Sequence, residues 1–167
     1  MKSRLIASLA VGAAVVLGTT GCGLIAPQST TVQYQPSDGM NVPKDSGPLQ
    51  IRNALIVANE DGSEGNLVAA IVNGTDEDHV LNLEIGEGAD AVKKTVRVSA
   101  GTTKSLGVSD IEGVENLVGA NPVLIQGLDT APGATVPVYF QSGDGEGALV
   151  EIPVLDGTLD YLTELAP

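Results

Sequence analysis

From Leu49 onward, apolar and polar residues alternate with a period of two, the spacing of a strand with one buried face. Leu49, Ile51, Leu55 and Val57 share one face, with Gln50 and Arg52 opposite. Leu67–Val72 is apolar on both faces and reads as a central strand. His79, Leu81, Leu83 and Ile85 alternate with Val80, Asn82 and Glu84. Val92, Val96 and Val98 alternate with Lys93, Thr95, Arg97 and Ser99. Thr103–Val108 and Val123–Gln126 add two short segments. Val136, Val138 and Phe140 share a face around Pro137, as do Ala148, Val150, Ile152 and Val154 around Pro153. Turn residues separate these runs, among them Asn73-Gly74, Gly86-Glu87-Gly88, Pro132-Gly133 and Gly143-Asp144-Gly145. About eight short strands without helical crossovers predict an all-β fold, an antiparallel sandwich over residues 48–155. Proline lacks an amide donor, so the strands of Pro137 and Pro153 should lie at a sheet edge or carry a bulge there. A helical turn is predicted within Asp110–Gly119, and a short C-terminal helix within residues 156–167, capped by Thr158.

The start of the chain follows another pattern. Lys2 and Arg4 precede Leu5–Leu17, a run of Leu, Ile, Ala and Val broken only by Ser8 and Gly12. At 1.5 Å per residue this run is too short to cross a hydrocarbon core of roughly 30 Å. A basic start, a short apolar run and a small-residue exit predict a secretory signal peptide over residues 1–21. The exit, Gly18-Thr19-Thr20-Gly21-Cys22, resembles a bacterial lipobox, with Thr19 where Leu is usual. That resemblance implies cleavage between Gly21 and Cys22 and a diacylglycerol, with palmitate-type chains, on the Cys22 sulfur; it leaves open whether the Cys22 amine is acylated as well. Residues 22–47 are poor in apolar periodicity and contain Pro27, Pro36 and Pro43, so they read as a lipidated Cys and flexible tether. Tyr34 and Met40 are its candidates for docking on the domain.

Composition narrows the function. The chain has 167 residues, 8 Lys+Arg against 21 Asp+Glu, and a net charge of −13. Removing Lys2 and Arg4 with the signal peptide leaves six basic residues and a net of −15. Such a surface opposes nucleic acid and anionic lipid, both of which need Lys and Arg. Three Tyr, one Phe and no Trp leave no base-stacking platform. One Cys and one His exclude a Cys/His zinc site, an intrachain disulfide and a Cys–His catalytic pair built by one chain.

The remaining polar clusters favour structural readings. Asp76-Glu77-Asp78-His79 has metal-ligand residue types, but neighbours in a turn or strand point apart. By alternation His79 faces the side of Leu81 and Leu83, at the rim of the core. Asn59–Gly65 resembles a calcium loop but has Glu64 where Gly is needed and Ala70 where the bidentate Glu is needed, so a hairpin turn is expected. Asn73-Gly74-Thr75 matches a glycosylation sequon and is read as a chance match. No Gly-x-Ser-x-Gly elbow occurs, and no catalytic residues are assigned.

Two stretches carry a family resemblance. Ile71–Leu81 is similar to the strand, Asn-Gly turn and strand of PCuAC-type periplasmic copper chaperones. Val123–Val154, with Gly127-Leu128, Pro132-Gly133, Val136-Pro137-Val138 and Ile152-Pro153-Val154, resembles their C-terminal half. The pattern is more similar still to the related actinobacterial LpqE-type envelope lipoproteins. The resemblance implies an immunoglobulin-like or cupredoxin-like sandwich. In the copper-binding members a His-x-Met precedes the Gly-Leu; here those positions are Pro122 and Leu124, which bind no metal. Met40 and His79 are the remaining metal candidates, and no cofactor is expected. The resulting expectation is a non-enzymatic binding or adaptor module, lipid-anchored on the extracytoplasmic face of the cell membrane, whose partner is another envelope protein. The alternative is a residual copper chaperone using Met40 and His79, with an envelope enzyme third.

Overall fold

The computed structural model describes residues 2–19, 37–88, 91–108, 117–119 and 122–167. Two compact units are distinguished, Met1–Tyr34 and Gln35–Pro167. In the first, helix α1 spans Lys2–Thr19. Among the described residues no helix is long and apolar enough to cross a membrane. Gly21, Cys22 and Tyr34 lie outside the described residues.

The second unit is all-β. Its strands are β1 (Gln50–Ala58), β2 (Glu64–Val72), β3 (His79–Ile85), β4 (Val92–Val98), β5 (Thr103–Leu106), β6 (Leu117–Gly119), β7 (Val123–Gln126), β8 (Thr135–Ser142) and β9 (Ala148–Asp156). Helix α2 follows at Asp160–Thr163. The hydrogen-bonded path runs β4-β3-β8-β9-β1-β2-β5-β6, with β7 also pairing with β2. The path folds over one core: Leu81, Val138, Phe140 and Ile152 from one half share a buried cluster with Ile56, Leu67, Ile71, Leu106 and Ile125 from the other. At one end of the path, β4 exposes Lys93, Lys94 and Arg97, charges that discourage a further strand from adding there.

Several details depart from the expected pattern. The sheet is not purely antiparallel: β1 runs parallel to β9, and β5 parallel to β6. Residues 117–119 form a strand, and the rest of the segment in which a helical turn is expected, residues 110–116, lies outside the described residues. Pro137 and Pro153 sit on inner strands, not edges. Each falls one residue outside a neighbour's ladder: β3 pairs with β8 only as far as Val138, and β1 pairs with β9 only from Val154. The missing proline donors therefore break no pairing.

Strand β1 holds the most consequential departure. Its register with β2 runs Arg52↔Ala70, then Leu55↔Val68, so β1 carries one extra residue. The bulge centres on Asn53, whose φ is 50°. Asn tolerates this left-handed conformation, and here both its backbone and side chain are engaged. The Asn53 N–H donates to Asn41 Oδ1 at 3.0 Å, and Asn53 Oδ1 accepts the Gly39 N–H at 2.8 Å. The bulge reverses the alternation. Ala54, Ile56 and Ala58 join Leu49 and Ile51 in the main core. Leu55 and Val57 turn to the opposite face, where they pack with Leu162 of α2 and against Val68, Leu155, Leu165 and Ala166.

The folded unit therefore extends beyond 48–155 at both ends. Met40 bridges Ala54, Val42 is buried, and Ser46 is buried in the 3₁₀ turn Lys44–Ser46. At the other end the N-cap of α2 is Leu159, not Thr158. Thr158 instead donates both its N–H and its hydroxyl to Asp156 Oδ1.

Candidate functional site

Met40 and His79 occupy different settings. The Met40 N–H donates to Ala54 O at 2.8 Å, and its side chain is partly exposed. His79 opens β3 opposite Val98 and is half-buried on the side of Leu81 and Leu83. Its Nδ1 lies 3.8 Å from where a Cβ on Gly143 would sit. This is the core-rim position that alternation predicts. Asp78, just before it, serves the hairpin. Asp78 Oδ1 accepts the Ala100 N–H at 2.9 Å, and its Oδ2 accepts Arg97 Nη2 at 3.0 Å. Among the described residues no three His, Cys, Asp or Glu side chains gather to hold a metal. The Asn59–Gly65 segment is a hairpin turn, in which Asp61 Oδ1 accepts the Ser63 N–H and hydroxyl.

Asp78 supplies a pH prediction. The Ala100 N–H first, then Arg97, hold its carboxyl below the usual carboxylate range. A depressed folded pKa means the ionised form stabilises the fold above the unfolded pKa. That contribution is lost as pH falls through the folded pKa. Asp78→Asn should therefore lose less stability than the parent chain when acidified from about pH 5 to about pH 3. The effect is small because the pair is exposed. Denaturant midpoints at the two pH values measure it; equal losses in both chains would show that the ionised carboxylate contributes nothing.

The sequon has a structural explanation. Asn73 is buried at 1% exposure and lies where β2 ends. Its Nδ2 donates to Glu77 O at 2.8 Å and to Val98 O and Ser99 O at 3.1 Å each. Its Oδ1 accepts the Thr75 N–H at 3.1 Å and hydroxyl at 2.8 Å. This one amide ties the β2–β3 turn to the end of β4. Its residue types are those of a sequon because Thr is needed as its turn partner.

A concave site lies elsewhere, where β2 changes neighbours. Residues 69–72 of β2 pair with β5, whereas residues 64–67 pair with β7. Asn66 stands beside this fork, opposite Leu124, on the face that carries Val68. The C-terminal segment crosses the same face. Asn66 Nδ2 donates to Leu165 O at 2.9 Å and to Gly107 O at 3.0 Å. Those two bonds fix which end of the amide is nitrogen. They leave Oδ1 buried and, among the described residues, without a partner. An orphaned buried acceptor costs about 1–3 kcal/mol. Gly107 has a φ of 79°, and a Cβ there would approach Asn66 Oδ1 to 3.1 Å.

Next to Asn66 is an open cleft of about 530 Å³, lined also by Val108, Pro122, Leu124, Tyr161 and Glu164. Leu124 is 47% exposed and Tyr161 59% exposed. The Tyr161 hydroxyl donates to Asp38 Oδ2 at 2.7 Å, and this bond raises its pKa. Pro122 and Leu124, the positions where the family resemblance places the copper-binding His-x-Met, are thus walls of this cleft. The sequence does not mark Asn66, because it lies just ahead of the apolar run Leu67–Val72. A lone Asn next to such a run was the available signal.

The chain matches no protein-family model. No curated protein matches it either. Among solved structures, it is similar to a copper-bound PCuAC domain from PmoF2, with a TM-score of 0.46, 11% identity, 70% of this chain covered and 98% of that one.

Proposed function

We propose that this protein is a lipid-anchored, extracytoplasmic binding module that meets its partner through the cleft between β7 and the C-terminal segment. The observation that carries this reading is the cleft itself: exposed Leu124 and Tyr161 beside a buried Asn66 acceptor without a partner among the described residues. Apolar walls with a few polar groups are the ordinary makeup of a binding site. The location rests on the sequence, on Lys2 and Arg4, the apolar run and Cys22. In this reading the module works without catalysis, as an adaptor for another envelope protein.

Site-directed photo-crosslinking in intact cells tests it. A photoreactive residue at Leu124 should give one discrete adduct. The same residue at Leu149, 63% exposed on a strand of the other half of the path, should give none. No adduct from position 124, or the same adduct from both positions, overturns the proposal.

A further inference from the structure

A second surface, independent of that cleft, lies on the other half of the strand path. Strands β4, β3 and β8 turn two adjacent rows of side chains outward: Thr95, Asn82 and Gln141, then Lys93, Glu84 and Tyr139. Both rows line one groove of about 470 Å³. The first row is a hydrogen-bonded ladder. The Thr95 hydroxyl donates to Asn82 Oδ1 at 3.4 Å, and Asn82 Nδ2 donates to Gln141 Oε1 at 2.9 Å. Gln141 Nε2 donates to Gly143 O at 2.6 Å and to Gly145 O at 3.3 Å. These bonds fix both amides in place. Asn82 Nδ2 keeps one hydrogen, and each amide oxygen keeps a lone pair. In the second row Lys93 Nζ lies 3.3 Å from Glu84 Oε2. That pair is exposed, so a ligand can share it at little cost.

Tyr139 is held flat beside them. Its hydroxyl donates to Glu146 O at 2.6 Å. Gly147 follows with a φ of 91°, and a Cβ there would collide with Tyr139 Oη, Cζ and Cε2. Those three atoms place the missing Cβ over the face of the ring, not at its edge. One face of the ring thus rests on Gly147, and the other is left for the groove. Leu149, its partner on β9, does not line the groove.

We propose that this groove binds a neutral pyranose, one unit of an oligosaccharide. The C–H face of the sugar lies on the Tyr139 ring, whose π face is negative. Sugar hydroxyls both donate and accept, as a row of mixed donors and acceptors requires. Asn82 and Lys93 supply hydrogens to them, and Gln141 Oε1 and Glu84 accept. Glu84 matches Lys93, and the net charge of −13 outweighs the neighbouring Lys94 against an anionic sugar. A single ring serves one sugar but not a run of nucleic-acid bases.

Saturation-transfer NMR and titration calorimetry test this on the full chain, in a detergent without a sugar headgroup. The probes are maltotriose, cellotriose, mannotriose and chitotriose, with trigalacturonate as the anionic comparison. At least one neutral trisaccharide should bind, with transfer to its ring C–H protons. Tyr139→Ala should weaken that binding at least about tenfold. Asn82→Ala, at an exposed position that leaves the core intact, should weaken it about fivefold. Tyr139→Phe keeps the ring and should retain most of the affinity. Leu124→Ala, on the wall of the other cleft, should not change it. Three results would overturn the proposal: no binding of any neutral trisaccharide, tighter binding of trigalacturonate than of all four, or full affinity in both alanine variants.

Discussion

Asn73→Ala should destabilise the folded domain by about 3 kcal/mol, because it removes several bonds made by one buried amide. Asn73 Nδ2 supplies hydrogens to Val98 O, Ser99 O and Glu77 O, and Asn73 Oδ1 receives two from Thr75. Each such bond contributes about 0.5–1.5 kcal/mol net, and a buried group left without its partner costs about 1–3 kcal/mol. At 1% exposure the site gives water little access to replace the lost hydrogens. Thr75→Ala should cost about 1 kcal/mol, since it removes a hydroxyl while the Asn73 donors stay in place. Equilibrium denaturation of the three chains measures both effects. An Asn73→Ala chain within about 0.5 kcal/mol of the parent would mean that the amide does not hold the turn. A carbohydrate on folded protein at Asn73 would contradict the same geometry, because its amide nitrogen is committed inside the structure.

Cys22→Ala should move essentially the whole population out of the lipidated, membrane-anchored form. Under the lipobox reading the Cys22 sulfur is the only point of attachment for diacylglycerol, since the chain contains one Cys. Each buried CH₂ of an acyl chain contributes about 0.8 kcal/mol, so two chains hold where a single one is marginal. The protein surface supplies no substitute. With 8 basic residues against 21 acidic ones, and six if the signal peptide is removed as that reading expects, it would be repelled by anionic headgroups. The variant should take up no labelled fatty acid and should appear either unprocessed or released from membranes. Mature-sized Cys22→Ala protein that still fractionates with membranes would overturn the anchor.

How far the sequence could be read depended on how local the deciding physics was. Alternation located β3, β4, β8 and β9 and placed His79 at the core rim, because a strand with one buried face repeats every two residues. The same rule failed across β1. One extra residue at Asn53 reverses which side chains face inward, and the bulge shows only in the register against β2. Proline's missing donor is a local property, but the edge position expected from it is not what the fold shows. Whether that matters depends on where neighbouring ladders stop, and those neighbours are remote in the chain.

The candidate site was the least legible part. Leu124 and Pro122 carry no chemical signal of their own in the sequence, because an apolar side chain and a proline mark a cleft wall only once the fold places them there. Glu164 and Tyr161 belong to a short C-terminal segment with no local pattern that ties it to β2 or β7. Asn66 bonds to Leu165 across 99 positions of chain, so no local pattern could announce the pair. The amino-acid sequence by itself determined the strand periodicity, the acidic balance and the lone Cys22, since each is a property of neighbouring residues or of composition. Only tertiary structure decided that Leu55 and Val57 face away from the main core, that the C-terminal segment covers them, and that Asn66 is left with an acceptor beside an open cleft. Those outcomes follow from which distant strands pair and where the pairing shifts.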